Sequence, residues 1–129
     1  MPSCEIRRYQ DLAGYVPFDA WLATLAGPGK SQNRVAAVKV AAALTRLAAN
    51  GHELRRPTAA PLRDGVYELR VSVGNLNYRA LYFFAGRGIA VMAHGCTKEA
   101  ALEEADIDRA VTRRLAHKAA PLAHTAPQP

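Results

Sequence analysis

The sequence has only two cysteines, Cys4 and Cys96, and no Cys-x-x-Cys spacing. Two isolated cysteines cannot form a disulfide framework or supply the paired ligands of a structural zinc site. Long hydrophobic runs are also missing, since the longest, Val40 to Leu44, is far too short to cross a bilayer. The N-terminal residues lack the apolar core of a signal peptide. We therefore expect a soluble, cytoplasmic protein that does not contact the membrane, with no metal and no cofactor.

Acidic residues are scarce in the middle of the chain. The 129 residues carry 17 lysines and arginines against 11 aspartates and glutamates, a formal net charge of +6. Residues 30–98 contain many basic side chains and only three acids, namely Glu53, Asp64 and Glu68. A positive field concentrated in one region favours a polyanion such as RNA, DNA or an acidic protein. Most of the basic residues are arginines, whose planar guanidinium suits phosphate.

Hydrophobic periodicity predicts the order β-α-α-β-β-β-α, an α+β domain with a helical hairpin packed on a small, mainly antiparallel sheet. We expect this domain to span residues 1–118, followed by a disordered Pro- and Ala-rich tail over residues 119–129. Residues 52–64 are predicted to form a loop. The predicted helices are Pro17–Ala26, Ser31–Asn50 and Glu99–Ala119, and the predicted strands are Cys4–Tyr9, Val66–Val73, Tyr78–Ala85 and Ile89–His94. Val35, Val38, Ala42 and Leu47 are predicted to share one side of the second helix.

Two arginines interrupt the predicted strands. Alternation in Val66–Val73 places Glu68 and Arg70 on the face opposite its apolar side chains. Arg79 is the one charged residue in a strand that is otherwise apolar on both faces. A buried guanidinium is costly unless it has a partner. Either these arginines present fixed cations to a phosphate-bearing ligand, or they form structural ion pairs with Glu68 or with the acidic last helix.

Four motifs, YELR (67–70), YRALYFF (78–84), HGCTK (94–98) and ADIDRA (105–110), together resemble the RelE/ParE superfamily of type II toxin–antitoxin toxins. The resemblance is closest to its phage-derived HigB-like branch and runs from about Pro61 to Ala116. It implies a RelE-like fold and a ribosome-dependent mRNA endonuclease, or mRNA interferase, that inhibits translation. The implied partners are a cognate helix-turn-helix antitoxin and mRNA on the ribosome. Contact with DNA is expected only indirectly, through the antitoxin.

The resemblance also implies metal-independent RNA cleavage, in which the ribose 2′-OH attacks the adjacent phosphorus. Such a reaction needs a base, an acid and cations for the developing charge. By matching the motifs, Arg79 is assigned to the scissile phosphate and Arg70 to the same or a neighbouring phosphate. Lys98 is assigned either to substrate orientation or to proton transfer. Glu68 is either a general base or the ion-pair partner of Arg70.

Other polar residues near these motifs have two readings each. The arginines of the loop before the strands either contact RNA or belong to an ordinary solvated loop. His94 is interpreted as a partly buried, hydrogen-bonded histidine rather than a general acid, and Cys96 as a small buried residue. The three loop arginines are Arg55, Arg56 and Arg63.

The sequence departs from the family pattern directly after Lys98. The family's loop is basic at this point, whereas this chain has Glu99, Glu103 and Glu104. These acids repel phosphate and weaken RNA binding there. Two alternatives to the nuclease therefore stay open. One is a gyrase-directed ParE-like toxin, which has no obvious need for cations in the strands, and the other is a catalytically weakened remnant that acts only by binding the antitoxin.

Overall fold

The computed structural model describes residues 4–27 and 31–129. The strands form one sheet in the order β1-β5-β4-β3-β2, in which β1 runs parallel to β5 and the other neighbours are antiparallel. This confirms the predicted α+β class with a mainly antiparallel sheet. The strands are β1 (Glu5–Arg8), β2 (Ala59–Pro61), β3 (Val66–Val73), β4 (Leu76–Phe84) and β5 (Ile89–Lys98), and the helices are α1 (Pro17–Ala26), α2 (Ser31–Asn50) and α3 (Glu104–Ala119), with a 3-10 turn at Gly51–Glu53.

Helices α1 and α2 cover one face of the sheet. Pro17 begins α1, where its fixed φ suits the first turn and its missing N–H is not needed. Phe18, Trp21 and Leu25 follow at helical spacing, so α1 has one apolar side. That side packs with α2 on the buried side chains of the sheet, chiefly Leu69, Tyr78, Ala80, Tyr82 and Met92.

Helix α3 covers the opposite face. Its Ile107 and Ala110 pack against side chains of β4 and β5, including Leu81 and Val91. With cover on both sides, β4 is buried continuously from Tyr78 to Phe83, as its apolar sequence predicts. The charged exception in that run, Arg79, points toward the face that α3 covers.

Besides shifts of one or two residues at the ends of β1 and β4, the element boundaries differ from the prediction in three places. Residues 52–64 contain a short strand, β2, whose Ala59 lies opposite Leu69 of β3. This strand gives little sequence signal, because it has only three residues and ends in proline. Proline cannot donate a ladder hydrogen bond and is tolerated in a sheet mainly on edge strands. Strand β5 continues past His94 to Lys98, and α3 begins at Glu104 rather than at Glu99. Acidic residues near Glu99 favour a helix start, but residues 99–103 form an irregular connection instead.

The buried side of α2 also differs from the prediction. Val35 and Val38 are exposed, Val38 to 71% of its surface, and of the four predicted residues only Leu47 is buried. The helix is alanine-rich, and small side chains allow it to lie close to the sheet without a strong periodic signal in the sequence. Among the helices of the described part of the chain, none is long and apolar enough to cross a membrane. The buried residues of α2 are Ala36, Val40, Ala43 and Leu47.

The C-terminal residues pack against β1, which corrects the prediction of a disordered tail over 119–129. Gln10 N–H donates to the His124 carbonyl at 3.0 Å, and Ala126 N–H donates to the Arg8 carbonyl at 2.8 Å. The His124 ring stacks on Tyr9 with centroids 5.2 Å apart. Composition alone suggested disorder, but an edge strand such as β1 offers unpaired backbone groups to which a following segment can bind.

Candidate functional site

Polar side chains from three neighbouring strands meet at one end of the sheet face that α3 covers. The register places Arg70 opposite Arg79, and Arg79 opposite Cys96. Side chains directly opposite each other have Cβ atoms about 4.5–5.5 Å apart, so these groups are immediate neighbours. Flanking rows add Glu68 and His94 on one side and Lys98 on the other. We call this group the polar patch: Glu68, Arg70, Arg79, His94, Cys96 and Lys98, together with Asp106 of α3.

A buried ion pair lies at the centre of the polar patch. Arg79 Nε is 3.2 Å from Glu68 Oε1, and the two side chains are only 9% and 11% exposed. Arg79 Nη1 also donates to the Ala100 carbonyl at 3.3 Å. Arg70 Nε is 4.0 Å from the same Glu68 oxygen, and its side chain is 41% exposed. One carboxylate thus offsets the repulsion between two arginines that face each other across the strands.

Glu68 Oε1 receives no well-aligned hydrogen bond, even though Arg79 lies within ion-pair distance. Buried carboxylate oxygens usually accept a hydrogen bond. The Arg79 N–H is not aligned with Glu68 Oε1, so the contact between them is an ion pair without a hydrogen bond. The ion-pair interpretation of Glu68 is therefore confirmed in geometry, with Arg79 as the closer partner rather than Arg70.

Lys98 lies between two carboxylates at the end of β5. Its Nζ is 3.1 Å from Asp106 Oδ2 and 3.2 Å from Glu103 Oε1. These carboxylates, Asp106 first and Glu103 second, raise the pKa of Lys98. A lysine held in its protonated form acts as a fixed cation and not as a base. This protonation state fits both predicted roles, orienting the substrate and donating a proton.

His94 is hydrogen-bonded through both ring nitrogens. Arg113 Nη1 donates to Nδ1 at 3.1 Å, and because a guanidinium can only donate, Nδ1 carries no proton. Nε2 therefore holds the proton and donates it to Asp106 Oδ1 at 2.9 Å. Burial, the largest effect, lowers the pKa of His94 below its ordinary value. His94 is thus the neutral, satisfied histidine that the sequence predicted.

Asp106 was given no role by the sequence analysis, although it lies in one of the matched motifs. Its residue surface is 4% exposed, and it faces His94, Lys98 and, at 3.5 Å, Arg109. Burial alone would raise the pKa of Asp106, but the hydrogen bond from His94 and the positive charge of Lys98, 3.1 Å from Oδ2, outweigh burial and lower it. Asp106 is therefore an ionised carboxylate that ties α3 to the end of β5. Its partners lie on the far side of an irregular connection, which hid the relation from sequence reasoning.

Three donor atoms of the polar patch have the composition of a transition-metal site. One atom each from His94, Cys96 and Asp106 lies within 4.8 Å of the others, and nitrogen, sulfur and oxygen together suit zinc. A metal on His94 Nε2 requires the ring proton on Nδ1, where it would face the N–H of Arg113. Burial raises the pKa of Cys96 to about 11 in the metal-free protein, so a metal would also have to displace the thiol proton. The donors fit a hydrogen-bonded network better than a metal centre.

The three loop arginines do not join the polar patch. Arg63 contacts three carboxylates, those of Asp64, Glu104 and Asp108. These contacts, with Asp108 the strongest, raise its pKa. The geometry therefore gives Arg63 a structural role between the loop and α3 and leaves its predicted RNA contact without support. Arg55 and Arg56 are exposed, and Arg55 Nη1 donates to the His52 carbonyl at 2.7 Å.

Two concavities in the described part of the chain extend the surface beyond the centre of the polar patch. A cavity of about 570 Å³ near the C-terminal end of α3 is mainly apolar and contains none of the patch residues. A groove of about 470 Å³ runs between α2 and the outer edge of β3, and Arg70 lines it. The second concavity therefore adjoins the polar patch directly, whereas the first does not.

Comparison with known proteins gives one family. Residues 30–115 match the model of the family described as phage-derived protein Gp49-like (DUF891). The matched region contains all seven residues of the polar patch and both walls of the groove beside β3. A search of the curated proteins found no match to this sequence.

Proposed function

Because the chain belongs to the phage-derived Gp49-like family, a RelE-like family of toxins, we propose that it is the toxin of a type II toxin–antitoxin system. Its activity is ribosome-dependent cleavage of mRNA, as in the HigB-like branch, and the result is inhibition of translation in the cytoplasm. Family membership is consistent with a toxin and suggests an antitoxin as partner. In the proposal this antitoxin is a helix-turn-helix protein, and DNA is reached only through it.

The observation that carries the nuclease proposal is the meeting of three cations on one sheet face, two of them within ion-pair distance of Glu68. Arg70, Arg79 and Lys98 come from three adjacent strands and lie on one face. Phosphoryl transfer places extra negative charge on the phosphorane, and preorganised cations stabilise it more than they stabilise the ground state. Glu68, 3.2 Å from Arg79, supplies the base within the same group.

Each residue then has a defined role. Arg79 and Arg70 bind the non-bridging oxygens of the scissile phosphate, and Lys98 holds a neighbouring phosphate. Glu68 accepts the proton of the 2′-OH as that oxygen bonds to phosphorus. The bond from phosphorus to the 5′ oxygen breaks, and the departing oxygen takes a proton from solvent. His94 is not the acid, because its one N–H is donated to Asp106.

Access to Arg79 requires a local rearrangement. The Ala100 carbonyl accepts a hydrogen bond from Arg79, and Glu103 contacts Lys98. Both contacts come from the connection at residues 99–103, which covers the end of the polar patch. A phosphate that binds Arg79 replaces the Ala100 carbonyl, and one that binds Lys98 competes with Glu103. Residues 99–103 are therefore the segment that moves when RNA binds.

A second candidate function is a toxin without catalysis, and the pairing of the cations favours it. Arg79 and Lys98 each face a carboxylate already, Arg79 that of Glu68 and Lys98 those of Glu103 and Asp106. If they are purely structural, the protein acts by binding another protein. That partner is DNA gyrase in a ParE-like toxin, or the antitoxin alone in a remnant.

Induced expression followed by primer extension on cellular mRNA separates these functions. The nuclease predicts growth arrest with new codon-linked 5′ ends. Arrest with DNA damage and intact mRNA would assign the protein to gyrase, and growth without arrest would assign it to the remnant class. The same assay tests the site with Lys98→Gln, since a partly exposed lysine can be replaced without disrupting the core.

The matched control is Arg87→Gln, which removes the same charge in the turn after β4, at the opposite end of that strand from Arg79. We expect Lys98→Gln to lose most cleavage and Arg87→Gln to retain it. Equal activity of the two variants would remove Lys98 from the site. Arg79→Gln is expected to abolish cleavage, with circular dichroism used to show that the variant is folded.

A further inference from the structure

The outer edge of β3 is open over its last residues, and α2 runs beside it. Strand β2 pairs with β3 only as far as Leu69, and one more backbone bond joins Arg70 N–H to the Thr58 carbonyl at 2.9 Å. Beyond that point side chains of α2 reach the free carbonyls of β3. Lys39 Nζ donates to the Ser72 carbonyl at 3.2 Å and so bridges α2 and β3. The result is a concavity of about 470 Å³ between a helix and a sheet edge.

All charged residues that line this groove are positive. They are Lys39, Arg46 and Arg70, and the other lining residues are Ala42, Ala43, Pro57, Thr58, Val71 and Ser72. Arg46 Nη1 donates to the Thr58 hydroxyl at 3.2 Å. Within the part of the chain that the structure describes, neither Lys39 nor Arg46 has a carboxylate in ion-pair distance. Cations without a carboxylate are free to neutralise a phosphate and release its counterions.

Lys39 and Arg46 differ in their ion-pair partners from the cations that lie close to α3. Arg63 contacts three carboxylates, and Lys98 contacts two. Lys39 and Arg46 lie seven residues apart on α2, about 10 Å along the helix axis. They form one positive wall, facing the sheet edge, that the protein itself does not neutralise.

Arg70 connects the groove to the polar patch. Its Nε lies 4.0 Å from Glu68 inside the patch, while its 41% exposed side chain lines the groove. A ligand that extends from Arg79 past Arg70 therefore enters the groove next. A polynucleotide backbone has this shape, since it carries one negative charge per nucleotide along a continuous chain.

From this geometry we infer that the groove between α2 and β3 is a second binding site for the phosphate backbone of RNA, with Lys39 and Arg46 as its ligand-binding residues. The inference rests on the proposed function for the identity of the polyanion. It replaces the loop arginine Arg63 as the RNA contact. The structural alternative is that Lys39, which donates from α2 to the Ser72 carbonyl, only covers the open edge of β3 and blocks edge-to-edge pairing.

The double variant Lys39→Gln/Arg46→Gln tests the inference. Both positions are exposed on α2, and glutamine is a good helix former, so the fold is expected to remain intact. The control is Arg34→Gln/Arg87→Gln, which removes two exposed charges outside the groove. The probe is a short single-stranded RNA with 2′-O-methyl groups, which cannot be cleaved. Its binding is measured by fluorescence anisotropy over a series of salt concentrations.

We expect the groove variant to lower the salt dependence, d log K/d log [salt], by about 1.4, since each phosphate contact to a single strand contributes about 0.7. The control should change it far less. A parallel arm measures cosedimentation with small ribosomal subunits free of mRNA. Loss only with the RNA probe assigns the groove to mRNA, and loss only with the subunits assigns it to ribosomal RNA. If the groove variant shows no selective loss in either arm, the inference is overturned. Selective loss of binding to poly-glutamate, with RNA binding retained, also overturns it.

This readout does not depend on cleavage. If the wild-type protein binds RNA through the groove but cuts no mRNA, the nuclease proposal fails and the groove assignment stands. If it cuts mRNA while the groove variant binds and cuts normally, the groove assignment fails alone.

Discussion

The ion pair between Glu68 and Arg79 leads to a prediction that can be worked out in detail. Three variants form a cycle: Glu68→Gln, Arg79→Met and the double variant. Each single change leaves a charged group in a site where both side chains are about 10% exposed. Breaking a buried pair by removing one partner typically costs about 3–5 kcal/mol, because the remaining charge stays desolvated.

The surroundings of each residue adjust these magnitudes. In Arg79→Met, Arg70 at 4.0 Å partly compensates Glu68, so we expect a loss near the lower limit, about 3 kcal/mol. In Glu68→Gln, Arg79 keeps the Ala100 carbonyl as acceptor but faces Arg70 without a compensating charge, and we expect about 3–4 kcal/mol. The double variant removes both charges and should recover about 2 kcal/mol of the summed loss, within the range measured for residues in direct contact.

Urea unfolding at pH 7, followed by circular dichroism, measures the free energy of unfolding of all four proteins. The control pair is Glu5 and Arg7, an exposed ion pair on β1, for which coupling below about 1 kcal/mol is expected. Additive losses for Glu68 and Arg79, within about 0.5 kcal/mol, would show that the two side chains are not the buried pair described above. Cleavage measured on the same proteins adds a second readout. If the pair is only structural, the double variant, which recovers part of the lost stability, should still cleave RNA. If the pair is catalytic, the double variant should remain inactive.

Three further predictions follow from other contacts. Glu103→Gln frees Lys98 from one carboxylate, so it should strengthen RNA binding in an anisotropy assay without changing the melting temperature. The control Glu99→Gln removes an exposed acid of the same connection and should change RNA affinity less. Burial lowers the pKa of His94, so below its ordinary value of about 6.5 the unfolded chain binds more protons than the folded protein, and the free energy of unfolding decreases as the pH decreases. Urea titrations from pH 8 to 5 should therefore show a flatter pH dependence of this free energy in His94→Asn than in the wild type. An identical slope would contradict the assignment. Arg63→Gln should lower the melting temperature but leave RNA affinity unchanged, and a selective loss of RNA affinity would restore it as an RNA contact.

Sequence reasoning was most accurate where local pattern and burial agree. The alternation in Val66–Val73 identified the face that carries Glu68 and Arg70, and the apolar run around Arg79 identified the central strand. Both signals come from the period of side chains along a strand, which does not depend on distant parts of the chain. The helix from Pro17 to Ala26 was defined equally well, because proline marks its start.

The errors arose where contacts between distant segments decide the structure. Asp106 could be recognised as important only with His94 and Lys98 beside it, and residues 99–103 had to leave the helix for that arrangement to form. Arg63 looked like a free loop cation because two of its three carboxylate partners lie 41 and 45 residues further along the chain. Ion-pair partners at such separation have no periodic signature in a single sequence.

The distribution of paired and unpaired cations gives the two sites different tasks. The cations of the polar patch are preorganised by carboxylates, so a phosphate must displace existing contacts to reach Arg79 or Lys98. Lys39 and Arg46 of the groove have no carboxylate partner among the described residues, so a phosphate displaces there only their hydrogen bonds to the Ser72 carbonyl and the Thr58 hydroxyl. Binding at a part of the substrate remote from the reaction can offset the cost of rearrangement at the reacting centre. On this reasoning, loss of the groove should impair cleavage more for long RNA than for a minimal substrate confined to the patch, because only the long RNA occupies both sites.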